Sequence, residues 1–314
     1  FGICHTIPTR AMASSTPVGG AIKNNLWIIG RGNPEVRKAT MVRLAEALVD
    51  AGVRSIGGRV MGSTRYFARD WSAPGWPPDA HTEDVALPTA LAFDGNVGPR
   101  GLPVTDPELR AAKALTGALK ADGVKVSGKA GWGANPSGLK EIARTVSASV
   151  AALLHTENVD SINFFAETFC KLLGASASGP PGTIAHGAAD LMRYASSLGI
   201  KMKTNDCSGL SSLDRLSTNS IVRLLWAADR QTWGNAMRMT LPHAGQGTLE
   251  GRLKGTKVRA KTGTLSNASA LSGWVWLQTD STWAEFSILW KGPDYITAER
   301  IEDRIVLIVS NHAS

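Results

Sequence analysis

Three strand-like segments close to the C-terminus constrain this chain more than anything else in it: residues 258–265, 271–278 and 283–290. The middle one, Leu271-Ser272-Gly273-Trp274-Val275-Trp276-Leu277, alternates and is rich in Trp and Val, as a half-buried strand requires. Only the small-residue turn Ser266-Asn267-Ala268-Ser269 separates it from the first, so those two are expected to be neighbours. An amphipathic helix over residues 298–309 follows the strands. Helices are predicted ahead of them over 164–173 and 184–198, and over 218–229 behind a Ser217 cap. Helices before an antiparallel sheet that is closed by a terminal helix make an α+β domain.

The first half reads differently. Residues 25–29 are a buried strand entering the turn Gly30-Arg31-Gly32-Asn33-Pro34. Neither the dinucleotide fingerprint nor the P-loop is complete there, so a plain strand-to-helix turn is expected. Asn33 is read as the helix cap and Pro34 as its first position, with Val36, Met41, Leu44 and Leu48 on one face until Gly52. Residues 54–60 then supply a second strand and complete a β-α-β unit. After a loop-rich stretch holding Trp71 and Trp76, Asp106-Pro107-Glu108 opens a second helix that Gly123 stops. The Gly/Pro-rich stretch 131–138 is the expected domain boundary, with an accessory α/β domain over 1–135 and the α+β domain over 136–314. Residues 141–154 are predicted to be helical.

Composition sets limits on function. The 314 residues are 43% hydrophobic and 19% charged, which suits a globular protein and excludes disorder. No apolar run approaches the length of a membrane span, so no transmembrane segment is expected. The net charge of +8 favours anionic surroundings, among them nucleic acid, an acidic lipid face or a wall polymer. Lys and Arg are scattered and no aromatic-interleaved basic patch occurs, so nucleic acid is not an expected partner. Cys4, Cys170 and Cys207 are too few and too dispersed for a disulfide framework or a zinc site, and the histidines show no ligand spacing. No metal and no cofactor are expected.

Two triplets carry chemistry. Ser161-Ile162-Asn163 sits in a tight turn opening a helix, and Lys261-Thr262-Gly263 opens a strand. Acyl transfer needs a serine whose proton a nearby base can take, a shuttle to the leaving amine, donors for the oxyanion and a cation for a terminal carboxylate. A lysine, a hydroxyl and a bare glycine in a row offer several of these, and a peptide can lie along such a strand edge. A Ser-x-Asn triplet with a later Lys-Thr-Gly is two thirds of the pattern of active-site-serine penicillin-recognising enzymes; the missing element is Ser-x-x-Lys.

Further segments extend the likeness. Ser161-Ile162-Asn163-Phe164-Phe165-Ala166-Glu167, Asp206-Cys207-Ser208-Gly209-Leu210-Ser211 and Leu241-Pro242-His243-Ala244-Gly245-Gln246-Gly247-Thr248-Leu249 stand in order ahead of Ala260-Lys261-Thr262-Gly263-Thr264. Together these resemble the D-alanyl-D-alanine carboxypeptidase/endopeptidase family, the class C low-molecular-mass penicillin-binding proteins. The resemblance implies a penicillin-binding-protein/β-lactamase-like catalytic domain, with the accessory α/β domain inserted and shortened relative to the family. It implies a serine acyl-enzyme cleaving peptidoglycan stem peptides that end in D-Ala-D-Ala, with β-lactams as ligands, outside the cytoplasm. By family role, Ser161 and Lys261 would relay the leaving-group proton and Asn163 would hold the substrate backbone. Thr262 would bind the carboxylate, Gly263 would permit close approach and the Thr264 amide would be an oxyanion donor. Asp206, Ser208 and Gly209 would support the site wall.

The sequence departs from the family in three places. The sole Ser-x-x-Lys, Ser137-Gly138-Leu139-Lys140, falls in the expected interdomain connection and reads as chance, so the nucleophile segment is expected to be missing from this chain. No signal peptide is present and Phe1 is the first residue, so an N-terminal truncation is expected. Cys207 stands where the family has glycine, in a turn expected to want positive φ. A non-catalytic receptor for wall peptides is the alternative reading. A β-lactamase fits less well, because the Ala-Glu and Asp-x-Ser-Gly-Leu segments point elsewhere.

Overall fold

A computed structural model describes residues 2–292 and 294–311; Phe1 lies outside them. In chain order the elements of the first half are β1 (Thr6–Ala13), β2 (Ala21–Ile22), β3 (Leu26–Ile29), α1 (Lys38–Asp50), β4 (Ser55–Ile56), β5 (Val60–Ser63), α2 (Ala80–Glu83), α3 (Pro107–Ala121), β6 (Lys125–Val126), β7 (Gly131–Gly133) and β8 (Lys140–Ser149). The second half holds α4 (Val150–Asp160), α5 (Asn163–Ser178), α6 (Ile184–Ser197), α7 (Thr218–Asp229), α8 (Gly234–Thr240), β9 (Val258–Leu265), β10 (Ala268–Leu277), β11 (Thr282–Lys291) and α9 (Tyr295–Asn311).

A β-α-β unit is present and repeated, but its second strand is β5 rather than residues 54–60, of which Ser55 and Ile56 form β4 in another sheet. β3, β5 and β7 run parallel, with α1 and α3 making the crossovers. Met41, Leu44 and Leu48 of α1 and Leu115 and Leu119 of α3 share one buried cluster with Leu26 and Ile28. β2, β4 and β6 form a second, short parallel sheet. Asn33 does not cap α1: its side chain accepts the Glu35 amide inside a turn, and Arg37 is the residue that precedes the helix. The turn chemistry was local to residues 33–35, and the helix starts a turn later.

The larger sheet has the order β7-β5-β3-β1-β8. β8 pairs antiparallel with β1 along nearly its whole length. Residues 141–149, the first part of the segment 141–154 predicted as helix, are therefore strand, and the sheet runs across the boundary expected at 135/136. Arg144 to Ser149 alternate between exposed and half-buried, the period of a strand edge, and Ile142, Thr145 and Val146 are β-branched. The helix begins only at α4, where the Ser149 side chain accepts the Ala152 amide as a cap.

In the second half β9, β10 and β11 form the expected antiparallel sheet, with Ser272 opposite Lys261 and Leu271 opposite Thr262. Val258, Ala260, Leu271 and Val275 bury one face under Val306 of α9. Arg252 ties α9 down through Glu302 and Asp303 at 3.0 and 2.9 Å. α5 and α6 cross closely because Gly187 has no side chain; a Cβ there would lie 2.0 Å from the Cys170 carbonyl.

Candidate active site

Residues from α4, α5, the 206–211 loop and β9 meet in one cleft of about 1900 Å³. α4 ends at Asp160, and Ser161 follows in the left-handed region at φ 54°. A serine held there is a local cost that packing must offset, and such residues cluster at functional sites. The conformation lets α5 begin two residues later and leaves the Ser161 hydroxyl facing the cleft. Lys261 Nζ donates to Ser161 Oγ at 2.7 Å and to the Thr262 carbonyl at 2.9 Å. Among the described residues β9 is an edge strand, and its Gly263 and Thr264 are exposed along the cleft. An extended peptide can add to such an edge through main-chain hydrogen bonds.

Asn163 is the first residue of α5, and its amide donates to the Asp84 carbonyl at 3.3 Å. Ser208 and Gly209 line the cleft, whereas Asp206 lies fully buried behind them. Asp206 accepts Trp76 Nε1 at 2.6 Å and the Gly209 and Ser211 amides at 3.0 and 2.8 Å, so it shapes the loop from within. All nine residues singled out in the sequence thus belong to one neighbourhood. Ser137 is exposed in the turn before β8 and is not part of the cleft lining.

Residues 1–102 and 86–312 match the D-Ala-D-Ala carboxypeptidase 3 (S13) family. The chain belongs to this family of serine peptidases. It is 26% identical to a D-alanyl-D-alanine carboxypeptidase of Actinomadura sp. (strain R39), over 88% of this chain and 67% of that protein. It is 30% identical to carboxypeptidase DacB of Mycolicibacterium smegmatis, over 73% of this chain and only 53% of that protein. The fold matches penicillin-binding protein 4 of Haemophilus influenzae with a TM-score of 0.86 at 17% identity, covering 99% of this chain and 87% of the other.

Electrostatics in this S13 cleft are dominated by burial. Loss of water lowers the Lys261 pKa, against the opposing pull of Glu157. Burial raises Glu157 to about 7, with Lys261 drawing it back down. The buried ammonium and the buried carboxyl each oppose the other's shift away from the charged form. Glu157 was missed in the sequence, because the lysine that acts on it lies in a distant segment.

The carboxyl of the Ala166-Glu167 pair holds the neighbouring loop. Glu167 is fully buried, and its Oε1 accepts the Cys207 and Ser208 amides at 3.0 and 2.7 Å. Burial, and then the Asp206 charge, push its pKa up to about 7. A carboxyl raised from the 4.5 of its ordinary state favours folding most below pH 4.5, and that advantage is lost as pH rises through 7. Glu167→Gln keeps an acceptor oxygen and removes the charge. It should match the parent at pH 4 and gain stability above pH 7, by at most about 3 kcal/mol. Denaturant titrations across that range check this; a parallel pair of stability curves would refute it.

The cysteines require a correction. Cys170 of α5 and Cys207 form a disulfide, bringing together residues 37 positions apart that no spacing rule connects. Cys207 is absent from the positive-φ positions, so the expected strain at this former glycine site is not present; Gly209, at φ 81°, takes the left-handed turn. Among the described residues no group of three or more His, Cys, Asp or Glu side chains converges as a metal site would need.

Proposed function

We propose that this chain provides the substrate-binding and proton-relay parts of a serine-type D-Ala-D-Ala carboxypeptidase/endopeptidase acting on peptidoglycan stem peptides. The contact of Lys261 Nζ with Ser161 Oγ at 2.7 Å, beside an open Lys-Thr-Gly edge, carries the reading. The stem peptide would lie antiparallel to β9, with its terminal carboxylate at Thr262 and its backbone held by Asn163. The scissile carbonyl oxygen would face the Thr264 amide. Ser161 and Lys261 would pass the proton to the departing D-alanine amine. β-Lactams, which carry a carboxylate and an amide in similar places, would occupy the same cleft. A wall substrate puts the protein outside the cytoplasmic membrane, and the Cys170–Cys207 bridge suits such an oxidising compartment. No helix among the described residues is long and apolar enough to cross a membrane.

Thr262→Val tests the carboxylate contact. Losing a hydrogen bond to a charged group costs about 1.5–3 kcal/mol, so affinity for a peptide ending in a free carboxylate should fall on the order of tenfold to a hundredfold. Equal loss for the amidated peptide would show that Thr262 does not read the carboxylate.

Ser137 lies outside the cleft, so this chain should bind a fluorescent penicillin reversibly without forming a covalent band after denaturation. A band that disappears in Ser137→Ala would make Ser137 the nucleophile and overturn this arrangement. The position of Ser137 also favours a second reading, a non-catalytic receptor for the same peptides. Release of D-alanine from a D-Ala-D-Ala peptide by the isolated chain would eliminate the receptor.

A further inference from the structure

We propose that the Cys170–Cys207 disulfide is a positioning element of the cleft, fixing the wall formed by residues 207–211 relative to Asn163 on one side and the Lys-Thr-Gly edge on the other. The inference rests on the cleft being the ligand site proposed above.

Asn163, Glu167 and Cys170 fall at i, i+4 and i+7 of α5, which places them along one stripe of that helix. Asn163 and Cys170 belong to the cleft lining, and Glu167 lies buried between them. Asn163 faces the ligand space, Glu167 holds the Cys207 and Ser208 amides, and Cys170 is bonded to Cys207 itself. From the other side, Trp76 donates to Asp206, and Trp76 also packs in the small apolar cluster formed by Ala73, Cys170 and Ile184. The loop is therefore gripped between α5 and Trp76, and Cys207 to Ser211 form part of the same lining as Lys261 to Thr264.

The covalent link differs in kind from the hydrogen bonds around it. The loop has no helix or strand pairing of its own between Asp206 and Ser211. Its amides depend on single carboxylate oxygens, which can exchange one partner at a time for water. The disulfide keeps the Cα atoms of residues 170 and 207 at 5.7 Å whatever those bonds do. A wall that is already ordered before the ligand arrives spares the ordering cost at binding.

The test uses the full chain with Cys4→Ser, which removes the exposed free thiol and leaves the bridge as the sole cysteine pair. The protein is compared oxidised and after treatment with a phosphine reductant, with both thiols confirmed free by mass. Hydrogen exchange is expected to accelerate at the amides of residues 207–211 on reduction, with little change at 161–163 and 261–264. Affinity for a fluorescent penicillin is expected to fall about threefold to tenfold and to return on reoxidation. A Cys170→Ala/Cys207→Gly variant should bind as weakly as the reduced protein and should not respond to the reductant.

Unchanged exchange at 207–211 with both thiols free would overturn the proposal. Equal loss of protection across α5, β9 and the loop would also overturn it, because the bridge would then be a general staple. If the oxidised protein binds no penicillin, the functional reading fails while the exchange comparison still decides whether the bridge positions the wall.

Discussion

Lys171→Ala is expected to lower the unfolding free energy by about 2–5 kcal/mol, the range for truncating a large buried side chain to alanine. Lys171 is completely buried on α5. Its ammonium pairs with Asp70 at 2.8 Å and donates to the Ala68 and Asp70 carbonyls at 2.8 and 2.7 Å. The Trp71 ring lies over it at 5.0 Å. Burial lowers the Lys171 pKa, and the hydrogen bond and charge of Asp70 oppose that shift. The ammonium thus closes the 67–72 loop onto the helix that carries Asn163 and Glu167. Alanine would strand two carbonyls and leave a cavity as well. Lys171→Met fills the space, and Asp70 is 36% exposed and can rehydrate, so a smaller loss of about 1–3 kcal/mol is expected. Denaturant midpoints at constant slope measure both. A loss below about 1 kcal/mol for alanine would show that the pair is not what closes the loop.

Nothing in the primary structure marks Lys171. A lysine in a helix reads as solvated, and its partners lie about a hundred positions upstream. The same limit hid the disulfide, which links residues 37 positions apart, and the influence of the Lys261 charge on Glu157. Local signals fared better. Residues 258–265 form a strand with the predicted bounds, and Ser217 caps α7 through the Ser220 amide. Residues 141–149 failed for a physical reason: a polar, partly exposed strand lacks the apolar alternation of a core strand, and β1, the neighbour that makes it a strand, lies at the other end of the half. The site triplets were legible because each one is compact, with its chemistry in adjacent residues. The framework that holds them was not, because it is made of long-range pairs.

Gly273→Ala tests how firmly that framework fixes Lys261. Gly273 sits in the middle of β10 opposite Ala260 of β9, one residue from Lys261. A Cβ there would lie 2.1 Å from the Arg259 carbonyl oxygen and 2.6 Å from the Ala260 Cα. Both are backbone atoms of β9, so no side chain can turn aside and the strand itself must move. Overpacking of this kind costs about 1–3 kcal/mol. The larger effect should fall on the site: a shift of about 1 Å takes the 2.7 Å contact between Lys261 and Ser161 beyond hydrogen-bonding distance. Affinity for a penicillin should then drop on the order of tenfold to a hundredfold, the equivalent of one charged hydrogen bond. Gly263→Ala is the matched control, because its Cβ would meet only the Ala270 Cβ at an ordinary 3.5 Å. That variant should fold like the parent yet lose ligand, since its methyl group stands on the edge where the peptide would lie. Calorimetric binding and denaturant midpoints on the two variants separate the causes. If Gly273→Ala kept both the parent midpoint and the parent affinity, β10 would not be what sets the position of Lys261.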